Sequence, residues 1–408
     1  MLSVEEALEQ ILSRVHRLGT ERTDLLACLG RVLAEPSVAA GDIPPWPNSS
    51  MDGYAVRSSD TRGATPERPT ELSVVGTIPA GLVAARPLER DEAFRIFTGA
   101  PLPEGADSVV PQEEVETLGE RIRVRRFVQP GVFVRPLGED IRAGETALEP
   151  GKVIGPAEVG LLATLGQSRP LVFRRPRVAI LSTGDEVVDL GTPLGPGKIR
   201  NSNTYALMAQ VLEAGAEPVN VGLAPDRREA IEEQLRWGLA ADALISSAGV
   251  SVGEYDFVRE ALTRLGAEQH LWKVSMRPGK PITFGSVGDR PIFGLPGNPV
   301  SAMVTFELFV RPALRKMAGH SALHRPMLRA RALAPIPNPG GRRGYLRVRL
   351  TADRQGYGAR LTGDQGSAIV TSMVAADGLA VVPPDSTIPP GGEVTVILLK
   401  PLPPHDGA

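Results

Sequence analysis

Between Arg177 and Met317, short β-branched and aliphatic runs alternate with stretches of helical period. No other feature of the 408-residue chain narrows the possible folds as far. "RVAILST" reads as a strand and is followed by a helix through "NTYALMAQVLEAG". "PVNVGLA" is a second strand, followed by a helix from Asp226 to Ala240, and "DALISS" a third, followed by a helix over "YDFVREALTRLG". After "PITFG" and "RPIFGLPG" comes a long helix from Val300 to Met317. Strands joined through helices run parallel, so this segment is expected to form a doubly wound α/β domain with a mostly parallel sheet.

The flanks have a different texture. Near the N-terminus Val4, Ala7, Leu8, Ile11, Leu12 and Val15 fall at helical spacing, and Ser3 with Glu6 makes a capping box. From about Gly41 to Asp140 short runs such as "LSVVGTI", "AFRIFTG", "DSVVPQEEV" and "RIRVRRFV" are broken by Pro and Gly and read as strands. "GPAEVGLLATLG" returns to helical spacing, and beyond Pro326 "GYLRVRL", "GLAVVP" and "EVTVILL" suggest a small all-β domain. The expected architecture is multidomain α/β plus β. A linking domain takes residues 1–40 and 141–172, a β-rich insertion domain 41–140, the central α/β domain 173–321, and a small β-barrel 322–408.

Composition excludes several functions. With 45 basic and 47 acidic residues and a net charge of −2, nucleic acid has no electrostatic attraction to the chain as a whole. Clusters at Arg121–Arg126 and Arg342–Arg349 alternate with apolar residues and read as solvated faces of strands. The single cysteine, Cys28, excludes intrachain disulfides and cysteine-based zinc sites and reads as a small core residue. No basic-then-apolar leader and no uncharged apolar run of about 18 residues is present, so a cytoplasmic protein that does not span a membrane is expected.

In open α/β sheets ligands gather outside the carboxyl ends of the strands. Three strands here release acids just there: "ILSTGDE" gives Asp185 and Glu186, "VGLAPD" gives Asp226, and "ISSAGVSVGEYD" gives Asp256. Carboxylates without His or Cys suit a hard cation such as Mg2+. Asp226 equally reads as a helix N-cap. Beside the acids, Gly249, Ser251 and Gly253 can turn backbone N–H groups and a hydroxyl toward an anion. "GLPGNPVSA" repeats that device at the next helix start, and "KVSMRPGKP" adds Lys273, Arg277 and Lys280 on a proline-stiffened turn. "GVSVG" also fits the serine-hydrolase elbow with Ser251 as nucleophile. The five histidines and the lack of an HGGG-like oxyanion segment give that reading little support. Two tight polar turns, "IPPWPNSSMDGYAVR" and "IFTGAPLPEGADSVVPQEE", complete the set.

Nine collinear blocks resemble the molybdopterin molybdenumtransferase (MoeA) family, which includes the C-terminal domain of gephyrin. They are "NSSMDGYAV", "RIFTGAPLPEGADSVV", "VRPLGEDIRAG", "VAILSTGDEV", "GVSVGEYDF", "MRPGKP", "GLPGNPVSA", "GRRGYLRV" and "GDQGSAI", and they span nearly the whole chain. The resemblance implies insertion of molybdate into adenylylated molybdopterin with Mg2+, giving molybdenum cofactor and AMP, in a homodimer of four-domain subunits. It places catalytic residues at Asp52, Thr98, Asp140 and Asp226, and metal ligands at Glu186, Asp226 and Asp256. It places substrate and anion contacts at Ser251, Lys273, Arg277, Lys280, Pro296, Pro299, Arg347 and Ser367. The implied partners are a molybdopterin adenylyltransferase upstream and apo-molybdoenzymes downstream. Pro47, Ser50, Ala248 and Arg277 depart from the residues the family usually carries there. The competing functions are molybdopterin adenylylation, a non-catalytic scaffold such as gephyrin provides for receptor peptides, and a serine hydrolase using Ser251.

Overall fold

The structure is a computed structural model that describes residues 1–247, 257–271 and 273–402. The chain forms two compact units: residues 1–34, 151–155 and everything from 169 onward make one, and residues 35–150 with 156–168 make the other. Helix α1 (Val4–Arg14) opens the first unit. Its capping box forms as the sequence requires: Glu6 N–H donates to Ser3 Oγ at 3.1 Å, and Ser3 N–H to the Glu6 carboxylate at 2.7 Å. Val4, Ala7 and Ile11 make its buried stripe.

The second unit is built on a six-stranded sheet: β1 (Gly53–Val56), β2 (Thr70–Ile78), β3 (Glu92–Ile96), β4 (Ser108–Pro111), β5 (Val115–Leu118) and β6 (Arg121–Val124), in spatial order β4-β1-β3-β2-β6-β5. Only β2 and β3 run parallel. Side-chain alternation divides its core: Tyr54, Val56 and Leu72 pack on one side, Ala55, Ile78 and Ile96 on the other. The Met-Asp-Gly-Tyr turn needs its glycine, because a Cβ on Gly53 would sit 2.1 Å from the Val110 carbonyl oxygen. Helix α2 (Pro156–Thr164) belongs to this unit.

In the first unit the strand–helix alternation folds as expected. The elements are β7 (Arg177–Thr183), α3 (Ser202–Glu213), β8 (Glu217–Ala224), α4 (Arg228–Gly238), β9 (Ala243–Ser247), α5 (Phe257–Arg264), β10 (Glu268–Leu271), β11 (Met276–Arg277), β12 (Thr283–Val287) and β13 (Arg290–Leu295). The sheet order is β8-β7-β9-β13-β12-β10, with four parallel strands and an antiparallel edge. Val178 and Ile180 face a core shared with α1 and α3, while Ala179 and Leu181 face one shared with α4 and α5. The long helix expected over Val300–Met317 is interrupted: α6 (Pro299–Thr305) and α7 (Arg311–Met317) are joined by a π-helical turn, Phe306–Val310. Pro312 has no N–H for the carbonyl four residues back and its ring crowds that carbonyl, so the helix widens just before it.

The C-terminal strands β14 (Met327–Ala332), β15 (Arg343–Asp353), β16 (Gly356–Leu361), β17 (Gly378–Val382) and β18 (Glu393–Leu398) close into a barrel in the circuit β15-β16-β14-β18-β17-β15, with helix α8 (Val370–Val374) between β16 and β17. Strand β11 adds to the start of β15. The barrel is not independent of the α/β layer, because Tyr345 and Leu379 belong to the core that α1 and the long helix share.

Candidate active site

Strand β8 lies on one side of β7 and β9 on the other, so the chain reverses its winding direction at β7. The crevice that this reversal opens holds a cavity of about 640 Å3. Its wall is polar: Ser182, Thr183 and Glu186 follow from β7, Ser247 ends β9, Asn201 and Asn203 begin α3, and Pro296 to Pro299 lead from β13 into α6. Asn203 ties two of these loops together, its Nδ2 donating to Ser247 Oγ at 2.8 Å and to the Gly297 carbonyl at 2.7 Å. Below the floor Ser182 and Thr204 share a buried hydroxyl–hydroxyl bond of 2.7 Å.

The acids stand at the rim. Gly184 takes φ +132°, a backbone that L side chains rarely adopt, and so turns the chain at once into Asp185 and Glu186. Asp226 N–H donates to Asp185 Oδ1 at 3.1 Å, and Asp185 N–H to Asp226 Oδ2 at 3.3 Å. Burial raises the Asp226 carboxyl above its usual range, the Asp185 amide works against the rise, and the Asp185 and Glu186 charges add to it. The N-cap reading of Asp226 does not hold, because Arg227 occupies the cap of α4 and no side chain caps it. Among the described residues no cluster of three or more His, Cys, Asp or Glu could hold a metal on its own. The third expected ligand, Asp256, lies outside the described residues, as does Ser251. Glu186 and Asp226 fit a hard cation in donor chemistry, and like-charge crowding that a cation would relieve marks their site.

The cationic turn reaches the cavity wall through Pro281. Lys273 is half-buried, and Arg277 and Lys280 are exposed. Arg277 Nη1 donates to the Pro339 carbonyl at 3.1 Å. Pro296 is buried, and Pro299 opens α6. Ser367 is fastened to that helix start: Asn298 Nδ2 donates to its Oγ at 3.0 Å, and Val300 N–H to its carbonyl at 3.0 Å. Its neighbours Ala368 and Val370 line the cavity.

Arg347 departs from expectation. The solvated face read for Arg342–Arg349 fails here, since Arg347 is fully buried and pairs in register with Leu379 of β17. Its neighbours Tyr345, Leu346 and Val348 are buried as well, because barrel closure covers one face of β15 and the α/β layer the other. The guanidinium clamps the loop that carries Ser367: Nε donates to Ser372 Oγ at 3.0 Å, Nη2 to the Gly366 carbonyl at 2.9 Å and, more weakly, to that of Asp364 at 3.4 Å. Nη1 makes no hydrogen bond among the described residues. Burial pushes its pKa down to about 10, opposed by Asp364 and reinforced by Arg277.

In the second unit Asp52 and Thr98 meet. Thr98 donates twice to Asp52 Oδ1, from N–H at 2.8 Å and from Oγ1 at 2.7 Å. These bonds, and the charge of Arg95, hold the Asp52 carboxyl below its ordinary range. Asp140 is exposed, and its N–H donates to the Ile43 carbonyl at 2.9 Å. Asn203 and Ser247 were not singled out by the sequence. The only signal for Asn203 was its place just inside a helix start at the sheet's carboxyl edge.

Three family models match the chain in order. Residues 2–166 match the MoeA N-terminal region (domain I and II), 179–316 a probable molybdopterin binding domain, and 329–399 the MoeA C-terminal region (domain IV). A molybdopterin molybdenumtransferase from Nostoc sp. is 39% identical over 412 residues, covering 98% of this chain and 94% of its own. Molybdopterin molybdenumtransferase 2 of Mycobacterium tuberculosis is 39% identical over 391 residues, with 94% and 96% covered. The crystal structure of a molybdopterin biosynthesis MoeA protein from Pyrococcus horikoshii superposes with a TM-score of 0.84 at 33% identity, covering 98% of this chain and 100% of that one.

Proposed function

The chain belongs to the MoeA family of molybdopterin molybdenumtransferases, transferases of molybdenum cofactor biosynthesis, and we propose that it inserts molybdate into adenylylated molybdopterin with release of AMP. The cavity at the winding reversal carries this reading. It is of a size for a small ligand, polar residues line much of it, Glu186 stands in its wall with Asp226 nearby, and Pro281 connects it to the cationic turn. Backbone N–H groups at the start of α3 suit phosphate oxygens, and Asn203 holds the facing loop, which Pro296 and Pro299 stiffen, against that helix start.

Molybdate, the substrate oxyanion, is gathered by Ser367 and Lys280 with Ser251, and Lys273 and Arg277 add positive potential. Arg347 acts by holding the Ser367 loop. Water, or an oxygen of molybdate that water then frees from phosphorus, attacks the pterin-side phosphorus, the bridging P–O bond breaks, the proton of the attacking water passes to solvent, and the cations stabilise charge on departing AMP. Ser251 is a hydrogen-bond donor in this scheme, not a nucleophile. Glu186, Asp226 and Asp256 would hold Mg2+, which when bound would supply Lewis-acid polarisation of the pyrophosphate. Asp52, Thr98 and Asp140 complete the catalytic set. The protein works in the cytoplasm as a homodimer, taking substrate from the adenylyltransferase and passing cofactor to apo-molybdoenzymes.

The test is the magnesium dependence of AMP release. Asp226→Asn and Asp256→Asn are expected to fold normally and to need more Mg2+ for the same rate. Wild-type rates in both variants at limiting Mg2+ would remove these acids from the metal shell.

A further inference from the structure

The strands of the second unit's sheet carry three arginines, Arg95 on β3 and Arg121 and Arg123 on β6. Arg121 and Arg123 are neutralised by Glu71, at 3.6 and 2.9 Å. Arg95 is held differently and forms no ion pair among the described residues. Its guanidinium lies over the rings of Tyr54 and Phe97, 5.4 and 5.5 Å from their centroids. Nη1 donates to the Tyr54 hydroxyl at 3.0 Å, and Nη2 to Gln112 Oε1 at 2.6 Å. Two aromatic faces, a phenol and an amide fix the group without cancelling its charge.

That fixed cation stands at the Asp52–Thr98 pair. Phe97, one of the rings beneath it, immediately precedes Thr98, whose N–H and hydroxyl both donate to Asp52 Oδ1. Gln112, which Nη2 grips through its side chain, donates its backbone N–H to the Asp52 carbonyl at 3.1 Å. Arg95 thus grips both flanks of the turn that carries Asp52, and its charge favours the carboxylate. Thr98 takes up both lone pairs of Oδ1, which leaves Oδ2 as the oxygen that can accept from a ligand.

We propose that Arg95 is a positioning residue for Asp52, keeping it oriented so that Oδ2 alone meets a donor on the substrate or on the attacking water. This rests on the reading that Asp52 acts in the transfer reaction. Arg95 does not touch substrate; it acts through Asp52.

A double-mutant cycle on the full-length protein, reading molybdate-dependent AMP release, tests the proposal. Arg95→Ala and Arg95→Gln are expected to lower kcat by roughly tenfold to a hundredfold, as misplaced catalytic groups do, with KM for adenylylated molybdopterin nearly unchanged. Asp52→Asn is expected to lower kcat as far or further, and Arg95→Gln/Asp52→Asn to be no slower than Asp52→Asn alone. Circular dichroism and melting curves of the Gln variant guard against a folding defect, which would slow every background equally. If Asp52→Asn is slow but the losses multiply, or if Arg95→Gln has wild-type kcat, the positioning role is overturned while the reading of Asp52 stands. Full activity in Asp52→Asn would overturn both.

Discussion

The molecule handles arginine in two opposite ways. On the sheet of the second unit, Arg121, Arg123, Arg125 and Arg126 stand in solvent and share Glu71, Glu116 and Glu114, with side chains 36–58% exposed on the basic side. In the first unit Arg347 is fully buried without a carboxylate contact among the described residues, and Arg311 and Arg325 surround Glu307, whose side chain is only 2% exposed. The solvated ladder gains little from each pair because water screens it and both side chains lose entropy. The buried groups have given up hydration, so each depends on whichever partner remains. The contrast teaches that charge contributes to this fold where its loss would strand a neighbour, not where ion pairs are most numerous.

The largest expected effect is at Glu307. It accepts from Gln210 Nε2 at 2.8 Å and Arg325 Nε at 2.8 Å, on the π-helical turn that Pro312 imposes. Burial tends to lower the Arg325 pKa, but hydrogen bonds to Glu307 and Glu213 outweigh it and hold the group above its ordinary value. Glu307→Ala leaves Arg325 with the half-exposed Glu213 alone, and leaves Arg311, whose Nε and Nη1 make no hydrogen bond among the described residues, further uncompensated. A loss of about 3–5 kcal/mol is expected in equilibrium unfolding. A change below about 1 kcal/mol, as for exposed pairs, would erase the contrast.

Arg347→Ala comes next, with an expected loss of about 2–4 kcal/mol from its severed bonds to Ser372 and the Gly366 carbonyl. The freed Ser367 loop should also raise the molybdate needed for insertion by roughly tenfold to a hundredfold, while molybdopterin binding stays largely intact. Arg347→Lys keeps the charge but not the fork and should recover little of either. An unchanged molybdate dependence in a folded Ala variant would separate the clamp from the site.

Histidine sharpens the same comparison through pH. Burial, then the charges of Arg315 and Arg311, lowers the His320 pKa from 6.5 to about 4, and its Nδ1 faces Arg315 Nη2 at 3.2 Å. The unfolded chain takes up this proton first as pH falls, so the contribution is complete above pH 6.5 and is lost on the way down to about 4. The loss is at most about 3 kcal/mol, and His320→Gln should flatten that part of the stability–pH curve. An equally steep curve in the Gln variant would place the sensitivity elsewhere. The smallest effect is expected for Arg123→Ala, below about 1 kcal/mol and shrinking further in about 0.5 M salt. A larger, salt-insensitive loss would show that the exposed ladder is not screened.

Much of this was legible in the chain. The parallel strands, the acids at their carboxyl ends and the α1 capping box follow from local patterns of period, turn and cap. The burial of Arg347 was not legible, although alternation correctly put Tyr345 and Arg347 on one face. Alternation assigns a face and says nothing of what covers it, and the cover of β15 comes from Leu379 and a closure of distant strands. Asn203 was hidden for a related reason. An asparagine near a helix start reads as a local cap, whereas its partners Ser247 and Gly297 are 44 and 94 residues away.

If the rim of this sheet carries out molybdenum insertion, a single incubation reveals it. The purified protein is mixed with adenylylated molybdopterin, molybdate and Mg2+, while AMP release and the activation of a cofactor-free molybdoenzyme are followed together. AMP is expected only when molybdate and Mg2+ are both present, in step with molybdoenzyme activity, and Asp226→Asn is expected to slow both. AMP release without activation of the acceptor, or no AMP from the folded wild-type protein, would contradict it.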